Sequence, residues 1–322
     1  MFTQKIQTLL AVSMFLIAPL FISCSDDDDT PVIDPPKDII DLAIATSDLS
    51  TLVAAVQKAG LVDVLKGSGP FTVFAPTNAA FQELLDSNAD WKTLDDIPAD
   101  VLKNVLKFHV LGSKVKSTEL SDSYVNTLAV GPNDENLSLQ VATTGGVMFN
   151  GSSKPVKVDV EATNGIVHII DKVMLSPNVV TLALNNAGFT SLVAALTDSR
   201  HTTDFVSVLK GDGPFTVFAP TNDAFKALLD SNADWNSLGD IPIATLDAVL
   251  KYHVVNAANV QSDQLKDEQE ITMLGSGKVT VDLSSGAKLK SSSGQTVTIS
   301  ATDVQGTNGV IHVIDTVLLP GV

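Results

Sequence analysis

An internal repeat limits what this chain can fold into more than any other feature of the sequence. Near the start of each copy, residues 51–55 resemble 191–195 at an offset of 140. The later blocks are offset by 144, so four extra residues lie around 197–204. The repeat predicts two tandem domains, 38–176 and 177–322, and units this long and this few do not form a solenoid array. Four further stretches recur at a fixed offset of 144: 69–78 at 213–222, 84–91 at 228–235, 107–110 at 251–254, and 163–171 at 307–315.

The composition fits two folded domains and excludes several classes of function. Hydrophobic residues make up 44% of the chain, which is enough for a core in each half. The formal net charge is −17, and such an acidic surface repels phosphate backbones, so we expect no nucleic-acid partner. One cysteine allows no intrachain disulfide, and no Cys/His cluster has the spacing of a zinc site. We therefore expect no metal and no other cofactor.

The first residues, 1–23, have the layout of a secretory signal peptide. A short segment with one positive charge precedes an apolar run that is shorter than the roughly 20 residues of a membrane-spanning helix. The run ends just before Cys24 and resembles a bacterial lipobox, in which the cysteine is diacylated and becomes the mature N-terminus. We expect lipidation of Cys24 and attachment to the membrane through this anchor only. The alternative is an ordinary cleaved signal that leaves a free thiol.

An acidic run follows the cysteine, with four aspartates at 26–29 and three prolines soon after. Because like charges repel one another, residues 24–37 are predicted to form an extended linker. The run also resembles the export signal of Bacteroidetes-type lipoproteins. That resemblance implies an outer-membrane protein facing the cell exterior, and a periplasm-facing location is the alternative.

Within each copy, helical signals come first and strand signals follow, which predicts the α+β fold class. Ser47 or Asp48 is the expected cap of the first predicted helix, and Thr77 is the expected cap of a later one. For the first copy, we predict helices around 49–56, 61–65, 77–85 and 98–106, and strands around 71–74, 137–141, 156–160 and 166–175.

The repeated blocks resemble the fasciclin (FAS1) domain family. In the first copy they are the run at 71–81, the Phe-His-Val at 108–110 and the Asn-Gly-x-x-His-x-Ile-Asp at 164–171, and the second copy has all three in the same order. The resemblance covers nearly everything from 38 to 320. It implies two tandem FAS1-like domains, each a β-sheet wedge with a helical layer, that serve extracellular adhesion or matrix binding and not catalysis.

The aromatic-histidine pairs are the candidate binding residues. In animal fasciclin domains, the Tyr-His pair lies in a segment implicated in integrin binding. The resemblance therefore implies a contact surface at Phe108 and His109 in the first copy, and at Tyr252 and His253 in the second. Because the first copy lacks the tyrosine hydroxyl, we expect the second domain to bind more strongly. The alternative is a structural role for these residues.

Three other histidines are predicted to have no functional role. His168 and His312 lie on the predicted final strand of each copy, and an aspartate follows each of them three residues later. An odd spacing places the two side chains on opposite faces of a strand, so we expect buried, hydrogen-bonded histidines and no catalytic pair. His201 lies in the four-residue insertion and is expected to be exposed.

Three functions from different classes follow from these features. The first is a non-catalytic cell-surface adhesion or matrix-binding lipoprotein whose partner is an extracellular polysaccharide or a surface protein, with two copies for avidity. The second is a glycan-binding accessory protein of a polysaccharide-uptake system. Exposed aromatics would favour it, but Trp91 and Trp235 are expected to pack in the core. The third is a hydrolase, for which no nucleophile elbow, metalloprotease motif or phosphate loop is present.

Overall fold

A computed structural model of the chain describes residues 36–321, so the predicted signal peptide, Cys24 and the aspartates at 26–29 lie outside the described residues. Two copies of one α+β arrangement follow each other, which confirms the predicted fold class. In the first domain the helices are α1 (Ile39–Ile44), α2 (Ser50–Lys58), α3 (Val62–Leu65), α4 (Asn78–Asp86) and α5 (Ala99–Phe108), and the strands are β1 (Phe71–Pro76), β2 (Val110–Leu111), β3 (Ser123–Val130), β4 (Asn136–Ala142), β5 (Met148–Phe149), β6 (Pro155–Ala162) and β7 (Gly165–Ile170).

The second domain repeats this order, with a longer hairpin near its end. Its helices are α6 (Val179–Asn185), α7 (Thr190–Leu196), α8 (Phe205–Leu209), α9 (Asn222–Asp230) and α10 (Ile243–Lys251), and its strands are β8 (Phe215–Pro220), β9 (Val254–Asn256), β10 (Glu270–Thr272), β11 (Lys278–Asp282), β12 (Lys288–Ser291), β13 (Thr296–Gly306) and β14 (Gly309–Ile314). Short 3-10 helices lie at Ser47–Leu49, Leu94–Asp96, Ser117–Glu119, Pro132–Asp134, Ala187–Phe189, Leu238–Asp240 and Ser262–Gln264.

Each domain contains a seven-stranded sheet in which the first strand pairs in parallel with the last. The strand order is β5-β4-β3-β2-β1-β7-β6 in the first domain and β10-β11-β12-β13-β14-β8-β9 in the second. In the first sheet β2 pairs with both β1 and β3, whereas in the second sheet β13 pairs with both β12 and β14. The strands at the sheet edges therefore differ between the two domains.

The helix predictions are confirmed except for one cap. The side chain of Thr77 accepts a hydrogen bond from the amide of Ala80 at 3.2 Å, and Thr221 has the same role in the second domain. Neither Ser47 nor Asp48 caps α2, because both lie in a 3-10 helix that runs directly into it. That cap prediction is wrong.

One strand prediction needs correction. The final strand β7 ends at Ile170, because the next residue, Asp171, turns away and its carboxylate accepts a hydrogen bond from the amide of Lys154. The strand predicted to continue to 175 is therefore too long. The strand predicted at 156–160 is confirmed as β6, although its Val156 is 63% exposed. The reason is that β6 is an edge strand and its register shifts on either side of residue 157.

Separate apolar cores close the two domains. In each domain, one cluster lies between the helices and the sheet, and a second lies among the strands on the other side. Within the described part of the chain, no cluster of fully buried residues contains members of both domains, although Tyr124 of the first domain packs against the second. Among residues 36–321 no single helix is long and apolar enough to cross a membrane. The helical segments Val179–Asn185 and Ala187–Leu196 are together long and apolar enough, by length and composition only, but they are bent by 99° relative to each other.

Candidate functional site

The predicted binding residues lie inside the two cores. Phe108, His109, Tyr252 and His253 are at most 2% exposed. Their position at the end of α5 or α10, whose apolar faces are buried, directs them inward. A side chain so enclosed contacts no external ligand, so the prediction that these four residues form a contact surface is wrong.

The two buried histidines, His109 and His253, each hydrogen-bond to the C-terminal segment of their domain. In the first domain, His109 Nδ1 donates to the carbonyl of Val105 at 2.8 Å, and its Nε2 accepts from the amide of Met174 at 2.9 Å. His253 makes the same pair of bonds in the second domain. Burial lowers the pKa of both histidines to about 4, so they are neutral at pH 7. The structural alternative is confirmed for both.

Tyr252 also has a structural role. Its hydroxyl donates to the carbonyl of Lys278 and accepts from the amide of Ser292 at 3.0 Å. These bonds join α10 to the β11 and β12 region. Phe108 fills the equivalent place in the first domain without a polar partner. The tyrosine-to-phenylalanine difference therefore reflects local packing.

The prediction for the strand histidines is confirmed. His168 and His312 are fully buried and donate from Nε2 to the carbonyls of Val115 and Val260. Neither bonds to the aspartate three residues later. Each instead accepts a hydrogen bond at Nδ1 from the amide of an earlier aspartate, Asp159 or Asp303, which sits at a bulge with φ near +60°. No sequence signal that we recognised marked these two aspartates.

His201 is not exposed as expected. Its side chain is 3% exposed, with Nδ1 against the carboxylate of Asp247 and Nε2 donating to the carbonyl of Ala195 at 2.8 Å. The ring also packs edge-on against Phe205. His201 thus ties the insertion at 197–204 to the rest of the domain, and the expectation of an exposed His201 is wrong.

Trp91 and Trp235 are partly buried and pack against the helical-side cores of their domains, as expected. Neither therefore supplies the exposed aromatic surface that the glycan-accessory alternative needed. Among residues 36–321 no group of three or more His, Cys, Asp or Glu side chains could hold a metal ion.

The domains meet along the polar face of a strand in the first domain. Strand β4 alternates apolar and polar side chains, and Leu137, Leu139 and Val141 fill the first core. The opposite face of β4 lies against β13 of the second domain. Ser138 is 1% exposed, and its hydroxyl accepts a hydrogen bond from the amide of Gln305 at 2.9 Å. Alternation alone does not distinguish solvent from a polar interface, so the sequence did not reveal this contact.

Three side chains of the second domain, the amide triad, are central to this interface: Asn259, Gln261 and Gln305. Gln305 and Asn259 exchange two side-chain hydrogen bonds of 3.1 Å, and Gln261 donates to Gln305 at 2.7 Å. The first domain reaches the triad through Asn133, whose amide donates to the carbonyl of Asn259. Gly131 lies so close that an added Cβ would be 2.8 Å from the carbonyl oxygen of Gly306.

Beside this interface lies a cavity of about 730 Å³, the interdomain cleft. One wall comes from the first domain and the other from the second. The lining residues are Asp122, Ser123, Tyr124, Gln140, Val141, Ala142 and Thr144 on the first wall, and Asn185, Asn186, Ala187, Gly188, Ala301, Thr302 and Val304 on the second. The volume falls in the range of small-molecule binding pockets.

Comparison with known proteins places both domains in one family. The Fasciclin domain family matches residues 47–176 and 187–320. The chain is 30% identical over 262 residues to the transforming growth factor-beta-induced protein ig-h3 of Sus scrofa, an alignment that covers 80% of this chain. It is 38% identical over 144 residues to protein sll1483 of Synechocystis, covering 45% of this chain and 76% of that protein.

A solved structure of similar fold also contains two such domains in tandem. It is a FAS1 domain pair from the insect cell adhesion molecule fasciclin I, with a TM-score of 0.51 and 19% sequence identity. The match covers 84% of this chain and 97% of that one. The chain spans about a third of the length of the ig-h3 relatives, 35% in each case.

Proposed function

The chain belongs to the fasciclin domain family, and on this premise we propose that it is a non-catalytic adhesion or matrix-binding lipoprotein of the cell surface. Its partner would be an extracellular polysaccharide or a surface protein. The observation that carries the proposal is the fixed pairing of two such domains through a buried polar interface. The solved structure of similar fold is a FAS1 domain pair from an insect cell adhesion molecule, and the presence of two such domains in both chains is the reason for extending that role to this chain.

The proposal includes the location. Cys24 would carry the lipid, residues 24–37 would separate the domains from the membrane, and the aspartates at 26–29 would direct export to the exterior. The absence of a catalytic motif in the sequence, together with the structural roles of the histidines, supports a binding function.

Adhesion of whole cells tests this function. Cells that express the full chain should adhere to surfaces coated with neutral polysaccharide or with neighbouring cells, and external protease should remove the protein. Cells that express Cys24→Ser should lose the membrane-bound protein and the adhesion together. Equal adhesion by cells with and without the chain would contradict the function, whereas membrane attachment of Cys24→Ser would contradict only the anchor.

A glycan-binding accessory role is the second candidate, and the polar lining of the interdomain cleft, rich in amides and hydroxyls, favours it. Growth on polysaccharide as the only carbon source separates the two roles. An accessory protein should be required for such growth, whereas an adhesin should not.

A further inference from the structure

The interdomain cleft exists only because the two domains are paired, and its walls are held in place. Asn186 of the second domain donates to the hydroxyl of Tyr124 at 2.8 Å. Its neighbour Asn185 donates to the carbonyl of Asn150 at 3.1 Å. Both bonds cross from one domain to the other at the rim of the cleft. A ligand would therefore meet a largely preformed surface, which reduces the entropy cost of binding.

The charge of the lining selects the kind of ligand. The lining residues include no Lys, Arg or His, so an anionic ligand would find no compensating charge. The one acidic residue, Asp122, is already engaged by Thr143 and Thr144. Their hydrogen bonds, led by that of the Thr143 amide, lower the pKa of Asp122 to about 2. A neutral ligand suits this cleft best.

The polar groups of the lining favour a ligand rich in hydroxyls. They are amide and hydroxyl side chains, which both donate and accept hydrogen bonds: Ser123, Gln140, Thr144, Asn185, Asn186 and Thr302. Gln140 is only 8% exposed, and its Oε1 has no hydrogen-bond partner among the described residues. Buried acceptors without partners are rare in folded proteins, and the residue that carries this one lines the cleft.

From this geometry we propose that the interdomain cleft binds a neutral saccharide, with the amide of Gln140 and the hydroxyl of Thr302 as contacts on opposite walls. This inference rests on the proposed function and specifies its ligand. Sugar hydroxyls both donate and accept hydrogen bonds, so they match the amide and hydroxyl side chains of the lining. The exposed methyl groups of Ala187 and Ala301 in the lining are available to the C–H faces of a sugar ring.

Binding of neutral oligosaccharides to the purified full chain tests the proposal. The probes are short gluco-, manno- and galacto-oligosaccharides, with anionic oligosaccharides and an unstructured peptide for comparison, and the measurement is isothermal calorimetry. At least one neutral probe should bind. Gln140→Leu and Thr302→Val each remove polar atoms without a large change in volume, so affinity should fall about 3- to 10-fold in each. Ala187→Trp should fill the exposed wall and abolish binding. Gln82→Leu, on the exposed face of α4, is the matched control and should bind as the wild type does.

Several results would overturn the inference. These are no binding of any neutral probe, equal binding by Ala187→Trp and wild type, or binding of the anionic or peptide probe alone at the cleft. The cell assay separates this failure from failure of the proposed function. If wild-type cells adhere but the purified chain binds no neutral probe, adhesion stands and the saccharide cleft is wrong. If neutral saccharide binds in the cleft but wild-type cells do not adhere, the cleft stands and the adhesion function is wrong.

Discussion

Equivalent surfaces of the two domains differ in charge and in burial: that of the second domain is neutral and buried, whereas that of the first is charged and half-exposed. The carbonyls of Val115 and Val260 accept hydrogen bonds from the side chains of His168 and His312, respectively. The two valines are therefore structurally equivalent, and so are the residues beside them. At the positions of the amide triad, the first domain has a charged triad. Its members are Lys114, Lys116 and Glu161, which form ion pairs and are half-exposed.

The difference shows how a tandem repeat limits pairing to one side. Amide side chains can be buried because donors and acceptors match within the triad and no net charge leaves water. Burial of the charged triad would require desolvation of three ions, and an ion pair seldom repays that cost. The second domain therefore packs onto the first through its neutral triad, and the equivalent face of the first domain stays solvated. The repeated blocks thus give both domains the same fold, while a few polar residues determine which surface of each domain packs in the interface between them.

The largest expected effect comes from making the second triad resemble the first. Gln305→Glu places a carboxylate against the carbonyls of Gly306 and Gly309, which now accept from the Gln305 amide. We expect a loss of about 3–5 kcal/mol in the free energy of unfolding and opening of the interface. Chemical denaturation and small-angle scattering measure the two effects.

The reverse change in the first domain is the matched control. Glu161→Gln alters a half-exposed ion pair, so the free energy of unfolding should change far less than in Gln305→Glu. Similar losses in both variants would show that burial does not distinguish the two triads.

Acidification should affect the two domains alike, because the buried histidine is common to both. His109 and His253 have a folded-state pKa of about 4, below the unfolded value near 6.5. The unfolded chain thus binds more protons, and stability falls as pH drops from 7 to 5, by about 2 kcal/mol per histidine at pH 5. Denaturation at several pH values tests this. His253→Phe should be less stable at pH 7 but show a shallower pH dependence. A flat wild-type profile between pH 7 and 5 would contradict the assignment.

The aromatic partners of these histidines should not be interchangeable. Tyr252→Phe leaves the carbonyl of Lys278 and the amide of Ser292 without their partner, at a cost of about 1–3 kcal/mol. We expect a lower melting temperature and, because the ring is buried, no effect on saccharide binding. Phe108→Tyr inserts a hydroxyl into an apolar cluster and should also destabilise. An unchanged melting temperature for Tyr252→Phe would make this residue a binding candidate again.

The smallest expected effect concerns the hydrogen bonds that each domain makes to its short 3-10 helix at Leu94–Asp96 or Leu238–Asp240. In the first domain Lys58 donates to the carbonyl of Leu94 at 2.8 Å. In the second, Arg200 from the insertion reaches the equivalent Leu238 and also the carbonyls of Gly239 and Ile241. Arg200→Ala should lower the melting temperature only slightly because the arginine is partly solvated, and Lys58→Ala should lower it less. A larger loss for Lys58→Ala in thermal unfolding would reverse this ranking.

The repeat, the helix stripes and the Thr77 cap made the domains and much of their architecture predictable, because these signals act over a few neighbouring residues. The buried partners were not predictable in the same way. Tyr252 finds its acceptor at Lys278, and His109 finds its donor at Met174, through folding that no local pattern encodes. The polar face of β4 was the most misleading feature, since Ser138 suits an amide partner as well as it suits water.

The asparagine before β7 and β14 has a consequence for the order in which the chain can become native. Asn164 accepts from the amide of Ile39, 125 residues away, and donates to the carbonyls of Leu65 and Gly67. Asn308 repeats these bonds in the second domain. A chain made or translocated from its N-terminus therefore has an early strand with an open edge until the last strand of the same domain arrives. Each domain is completed by its final few residues, so a chain that stops short of Asn308 leaves the whole second domain unfinished while the first is already closed.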